Sequence, residues 1–356
     1  MNFTLFGYPR TGKTTLFNLL TGARLEVHAY EEGKKEPVLR TCRIPDDRLD
    51  RLGELYKEKK KVAAALDLVD LAGISAGEVK TSALLSLLRK ADGLVHVVRA
   101  FEDEAAAPSR PVDPAGDIRV MEEELAVADF LSLQSRWEKL DKDLRKSKSP
   151  EGEKEKALLE KLRAAVEGGA GLRDVELTAA EEKLIRSFAF LSRKPLLHAL
   201  NAPDKDAARL DDPDGLYGLA PHRGDVLAFC GRAESEIAEL EPSEAEAFRD
   251  AFGIRRTIRD RFFEAAPRLL DIVFFFTIGK DEVRAWPVRS GSTAQAASGV
   301  IHTDIERGFI RAEVVPGPEL FRLGSMPAAK EKGALRLEGK EYVVQDGDVI
   351  HFRFAP

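Results

Sequence analysis

Sulfur is scarce in this sequence: two cysteines, Cys42 and Cys230, in 356 residues, with no metal-ligand spacing around either. A disulfide framework is excluded, and a reducing compartment is expected. Long apolar runs are missing too. The longest, Ile272 to Ile278, falls far short of the roughly 20 residues that span a bilayer, so no membrane partner is expected. The start, Met1 to Phe6, lacks the basic residues, sustained apolar core and small-residue cleavage site of a secretory leader. No low-complexity tract suggests disorder, and a composition of 44% apolar and 33% charged residues is that of a globular protein. Acid outweighs base by a net charge of −6, which argues against a general polyanion binder while leaving room for local basic patches. Length then points to two or three domains in a soluble, cytoplasmic protein.

What is present begins with an α/β pattern. The apolar run Phe3 to Phe6, a polar loop and the helical pattern Thr14 to Leu20 read as strand, loop and helix. Further strands are expected at Ala63–Val69, Gly93–Val98, Pro195–Leu200 and Val226–Cys230, with a helix at Ser82–Lys90. Strands separated by helices imply a parallel sheet with crossover connections. Between the halves of this pattern, Leu133, Trp137, Leu140 and Leu144 share one helical face, and Leu159, Leu162 and Val166 repeat the device beyond a turn-prone segment. They predict an antiparallel helical hairpin whose tip carries Lys142, Arg145, Lys146 and Lys148. Thr178 with Glu181 forms a capping box for a further helix through Phe190. From about Leu269 strands dominate: Ile272–Ile278, Val283–Val288, Phe309–Val315, Tyr342–Val344 and Val349–Phe354. The expected domains are therefore a nucleotide-binding α/β domain (1–122 and 192–266), an inserted helical domain (123–191) and a small β-rich domain (267–356).

The chemistry is concentrated at the N-terminus. Gly7-Tyr8-Pro9-Arg10-Thr11-Gly12-Lys13-Thr14 fits G-x-x-x-x-G-K-[ST] at every fixed position, followed by Thr15 in the helix. Glycines at the fixed positions let the backbone wrap a phosphate, Lys13 reaches the terminal phosphates, and the Thr14 hydroxyl suits Mg²⁺. The motif arises by chance in about one chain in a hundred of this length, and here it lies between a strand and a helix as it should. Asp70-Leu71-Ala72-Gly73 ends the second strand as D-x-x-G, which would give Asp70 to the metal and the Gly73 amide to the γ-phosphate. Ile74 follows, and an aliphatic side chain cannot orient an attacking water, so hydrolysis of ATP or GTP is expected to be slow without a partner. Asn201-Ala202-Pro203-Asp204 falls where a base-reading loop belongs, with Cys230-Gly231-Arg232 as the last base-side loop; an Asx-Pro turn is the plainer alternative for the former.

Over nearly its full length the sequence resembles the YchF/Obg-like ATPase family of P-loop proteins. The most specific stretch is Gly299-Val300-Ile301-His302-Thr303-Asp304-Ile305-Glu306-Arg307-Gly308-Phe309-Ile310-Arg311. With Tyr342 to Phe352 it is similar to that family's TGS domain, a small ubiquitin-like module. Pro45 to Asp50, His96 to Glu102 and Glu236 to Leu240 also match. The resemblance implies a G domain with an inserted coiled coil, association with ribosomes or RNA, and a preference for ATP over GTP. The sequence also departs from the family. Arg10 replaces an asparagine of the phosphate loop, the first switch is not recognisable in Val27 to Arg40, the segment after Gly73 is shorter, and no histidine stands near Ala107 or Pro108. Arg10 either supplies positive charge to the phosphates in cis, in place of a monovalent cation, or faces solvent on the loop. The expected catalytic set is thus Lys13, Arg10 and Gly73, the nucleotide contacts are Gly7 to Thr15 with Asn201, Asp204 and Gly231, and Thr14 and Asp70 hold Mg²⁺. A P-loop small-molecule kinase and a nucleotide-binding scaffold without turnover are the alternatives.

Overall fold

The computed structural model describes residues 1–26, 36–57, 60–74, 79, 82–103, 111–219 and 224–355. Most of the segment searched for a first switch (27–35), residues 75–78 after Gly73 and the Ala107–Pro108 position lie outside the described residues. The chain divides into two compact units, residues 1–40 with 67–262 and residues 41–66 with 263–356.

One sheet has the strands β1 (Asn2–Phe6), β2 (Val38–Arg43), β4 (Ala65–Asp70), β5 (Gly93–Arg99), β6 (Leu196–Asn201) and β7 (Asp225–Phe229), in the order β2-β4-β1-β5-β6-β7; β1, β5, β6 and β7 lie wholly in the first unit, and the unit boundaries at 40/41 and 66/67 fall within β2 and β4. β1 runs parallel to both β4 and β5, and β5, β6 and β7 continue in parallel. Every residue of β5 and of β6 is buried, which is the signature of strands covered on both faces. Helices α1 (Lys13–Thr21) and α3 (Ser82–Lys90) lie in this unit, and the order of the sheet reverses at β1, whose carboxyl end opens into the phosphate loop.

Helix α4 (Pro114–Lys146) starts nine residues before the expected insertion boundary at 123. Asp113 caps it by accepting from the Gly116 N–H at 2.9 Å, and Pro114 fits the first turn because its missing N–H has no partner to lose there. Met121, Leu125 and Ala128 on its first half pack with Phe6, Leu88, Leu94 and Leu191. Leu133 and Leu140 on its second half pack with Leu158, Leu159 and Leu162 of α5 (Pro150–Glu167). One helix thus serves both the sheet and the hairpin. Asp129, fully buried on α4, accepts from the Leu191 and Ser192 N–H groups at 2.9 and 2.7 Å and fastens the hairpin's return segment. The Thr178–Glu181 capping box is present on α6 (Ala179–Ile185), but the helix stops short of Phe190: a 3-10 turn follows, and Ala189 at φ +48 reverses the chain. After a short α7 (Pro213–Tyr217), α8 (Gly231–Glu239), α9 (Pro242–Phe252) and α10 (Ile258–Leu269) complete the helices up to the second sheet.

That second sheet contains β8 (Ile272–Ile278), β9 (Glu282–Arg289), β10 (Phe309–Pro316), β11 (Arg336–Glu338), β12 (Asp348–Phe354) and β3 (Lys60–Val62), ordered β11-β10-β12-β8-β9-β3. It is mixed: β3 lies parallel to β9 and β12 parallel to β8, while the other pairs are antiparallel. Helix α2 (Asp47–Leu55) belongs to the same unit, with Arg48 over the Phe276 ring at 5.2 Å and Arg51 over Phe321 at 4.1 Å. Residues 41–66, expected in the nucleotide domain, therefore cluster with the second unit. Tyr342–Val344 is not a strand; Val343 makes a single antiparallel bridge to Thr293. The Asp348 carboxylate accepts from the Tyr342 hydroxyl at 2.7 Å and the Gln345 N–H at 2.9 Å, which winds the segment into a turn. Among the described residues no helix is long and apolar enough to cross a membrane.

Candidate nucleotide site

The phosphate loop follows from the residues that make its bends. Gly12 holds φ +94 as the residue before α1, and a Cβ there would meet the Asn201 side-chain nitrogen at 2.2 Å, so only glycine fits. Lys13 is 7% exposed, and its Nζ donates to the carbonyls of Tyr8 at 2.6 Å and Gly7 at 3.2 Å, spanning the loop it closes. Burial pulls the Lys13 ammonium down to a pKa of about 8, against the opposing pull of Asp70. The Thr11 hydroxyl donates to the Tyr8 carbonyl at 3.1 Å and tightens the same turn.

Opposite the loop, the Thr14 hydroxyl donates to Asp70 Oδ2 at 2.9 Å. A hydroxyl and a carboxylate side by side are hard oxygen donors, and two protein ligands with phosphate oxygens and waters completing the shell are what Mg²⁺ takes. The residues present fit that ion. Gly73 packs against the loop so closely that a Cβ would lie 2.7 Å from Pro9 Cα, which brings the Asp70–Gly73 segment onto the phosphate loop. Ile74 donates its N–H to the Gly7 carbonyl at 3.0 Å, and its side chain is 3% exposed, packed in the cluster that holds Phe6, Tyr8 and Val79. It therefore anchors the end of the Asp70–Gly73 segment, with its side chain turned into the core.

On the expected base side, Asn201, Asp204 and the residues after β7 are tied to one another. Asn201, buried at the end of β6, donates from Nδ2 to the Thr11 carbonyl at 3.2 Å and accepts from the Gly231 N–H at 3.0 Å. Its amide clamps the phosphate loop to the loop that follows β7. Asp204 opens a 3-10 turn, accepts from the Cys230 thiol at 2.9 Å and lies 3.7 Å from Arg232. Burial, and then the neighbouring Asp204 carboxylate, push the Cys230 thiol up to about 12, so the thiol keeps its proton and remains a donor. Thr15 is half-buried in the first turn of α1.

Sequence reading missed two features. Arg10 has φ +62, a left-handed conformation for a non-glycine residue, and donates to both oxygens of Asp103 at 2.7 and 3.0 Å. Asp103 lies just past the His96–Glu102 stretch, and the signal was its position beyond the carboxyl end of β5, where ligand sites of such sheets collect. Behind the loop, His96 and His198 meet at 3.1 Å between their Nδ1 atoms, and His198 Nε2 lies 3.1 Å from Glu122 on α4. No short spacing advertises that chain, because it joins two strands and a helix.

A sheet whose strands β4, β1, β5, β6 and β7 run parallel and whose order reverses at β1, with a lysine inside a glycine-pinned loop and a threonine–aspartate pair facing it, defines a P-loop nucleoside triphosphatase. The sequence is 41% identical to "Ribosome-binding ATPase YchF" of Bacillus subtilis over 98% of both chains. The chain belongs to the YchF family. It is also 35% identical to the Escherichia coli O157:H7 protein of the same name over 98% of both chains, and 35% identical to "Obg-like ATPase 1" of Oryza sativa subsp. japonica over 98% of this chain and 91% of that one. The family profile described as "50S ribosome-binding GTPase" matches residues 2–148. That of the YchF-GTPase_C family, described as a protein of unknown function (DUF933), matches residues 272–355. Among solved structures, the Schizosaccharomyces pombe YchF GTPase superposes with a TM-score of 0.82 at 27% identity, covering 99% of this chain and 97% of that one.

Proposed function

We propose that this chain is a Mg²⁺-dependent nucleoside-triphosphate switch that binds ATP in preference to GTP, turns it over slowly and works on the ribosome. The observation that carries the reading is the Thr14–Asp70 pair at 2.9 Å facing a loop closed by Lys13. Lys13 would leave the Tyr8 and Gly7 carbonyls to meet the β- and γ-phosphates, while Gly7 to Thr15 present backbone N–H groups to them. Thr14 and Asp70 would hold Mg²⁺, which when bound neutralises phosphate charge. The Gly73 amide would register the γ-phosphate, and Ile74, tied to the Gly7 carbonyl, carries its loss into the segment beyond. Because Ile74 offers water no polar atom, hydrolysis awaits a group from elsewhere. Adenine preference rests on Asp204, whose one oxygen is taken by the Cys230 thiol and whose other lies near Arg232, leaving less carboxylate for the N–H pair of guanine.

Ribosome association is supported by the relatives named for it and by the exposed Lys142, Lys146 and Lys148 at the hairpin tip. Single-turnover hydrolysis of ATP and GTP, with and without ribosomes, tests the reading. Ribosome-stimulated phosphate release supports it, and transfer to a small acceptor or no release under either condition overturns it. Reversing the three lysines to glutamate should weaken cosedimentation with ribosomes and flatten its salt dependence.

A further inference from the structure

The geometry points to Asp103 as a positioning residue for the phosphate loop, acting through Arg10. The inference rests on the reading of Gly7–Thr14 as a triphosphate cradle.

Arg10 sits at φ +62, between Pro9 and Thr11. Glycine, and to a lesser degree asparagine, visit that region freely, whereas a long side chain with a Cβ resists it. The conformation must therefore be held from outside the loop. The hold is the fork of Nε and Nη2 on the two oxygens of Asp103 at 2.7 and 3.0 Å, a planar, two-point contact that fixes direction as well as distance. The pair is part-buried, with side chains 26% and 16% exposed, and the Asp103 carboxylate holds the Arg10 guanidinium above its ordinary pKa. One residue on, the Thr11 carbonyl accepts from Asn201. Residues 10 and 11 are thus braced from the carboxyl ends of two neighbouring strands, β5 through Asp103 and β6 through Asn201. The braced peptides are those whose N–H groups line the cradle.

This arrangement changes the role the sequence suggested for Arg10. A guanidinium with two donors on one carboxylate has those donors engaged, so it does not serve the phosphates as a free positive charge. Its work is mechanical: it transmits the position of Asp103 to the loop backbone.

The test is equilibrium binding of non-hydrolysable ATP and GTP analogues with Mg²⁺ to the full chain. Wild type is compared with Asp103→Ala, Asp103→Asn and the double variant Arg10→Gly/Asp103→Ala, each checked for its fold by circular dichroism. Asp103→Ala should weaken binding about tenfold and Asp103→Asn less. The double variant should recover to within threefold of wild type, because glycine reaches the left-handed region unaided. A double variant as weak as Asp103→Ala, or weaker, overturns the inference by showing that the guanidinium itself serves the phosphates. So does unchanged affinity in both single variants. A wild type that binds neither analogue overturns the site reading, and the strut with it.

Discussion

Lys13 shows how burial sets the chemistry of a single residue. Its ammonium is enclosed by loop carbonyls and titrates near 8, below the ordinary lysine value. Below pH 8 the protein binds phosphate with the charge already in place. Above it the free protein must take up a proton on binding, so affinity should fall by up to about tenfold per pH unit, or about 1.4 kcal/mol. Titrations of the non-hydrolysable ATP analogue at pH 7, 8 and 9 check this, since the triphosphate itself stays ionised across the range. A flat affinity to pH 9 would count against a buried, depressed lysine. Glu234 makes the same point for stability. Burial raises it to about 7, so the folded state keeps a proton that the unfolded chain releases near 4.5. Its stabilising contribution is present below pH 4.5 and is lost as the pH rises through 7, on the order of 3 kcal/mol in all. Thermal unfolding at pH 5 and 7.5 should show a pH-dependent loss that is smaller in Glu234→Gln.

At the scale of elements, much was legible because the relevant physics is local. The strand–loop–helix at the N-terminus, the helix Ser82–Lys90, the strand Ile272–Ile278 and the Thr178–Glu181 cap are written in apolar periodicity and short-range hydrogen bonds. The phosphate loop was legible for the same reason: its glycines, lysine and threonine act within eight residues. What escaped reading depends on partners far away in sequence. The first half of α4 lies before the expected boundary at 123 and starts where Asp113 caps it, and β3 has only three residues and a partner in the other half of the chain. Asn201 is tied to Thr11 and Gly231, 190 and 30 residues distant, and no short motif shows that clamp. The hairpin offers a clean element-scale test. Leu159 is fully buried among Leu133, Leu140, Leu162 and Leu172, and its truncation to alanine should cost about 2–5 kcal/mol. Urea unfolding reads the loss, while affinity for nucleotide should stay within twofold; a loss of binding would mean that the hairpin shapes the cradle as well.

For the whole molecule, the division into two units makes its own prediction. The second unit is assembled from residues 41–66 and 263–356. A fragment holding 263–356 alone would lack β3 beside β9, and the two arginines of α2 over Phe276 and Phe321. It should give poorly dispersed amide spectra and a broad thermal transition, and a sharp, cooperative transition of the isolated fragment would contradict that expectation.

The same interleaving sets a timetable for synthesis. Lys60 to Val62 emerge early and must wait for Glu282 to Arg284 before their backbone groups are paired. At about 5–20 residues per second that interval lasts roughly 10–45 s. During that time β3 lacks β9, and Arg48 and Arg51 of α2 lack the Phe276 and Phe321 rings, while the later strands of the nucleotide sheet are made. A nascent chain of this design is open to helpers and hazards in the middle of its length, long after its first strand has been made.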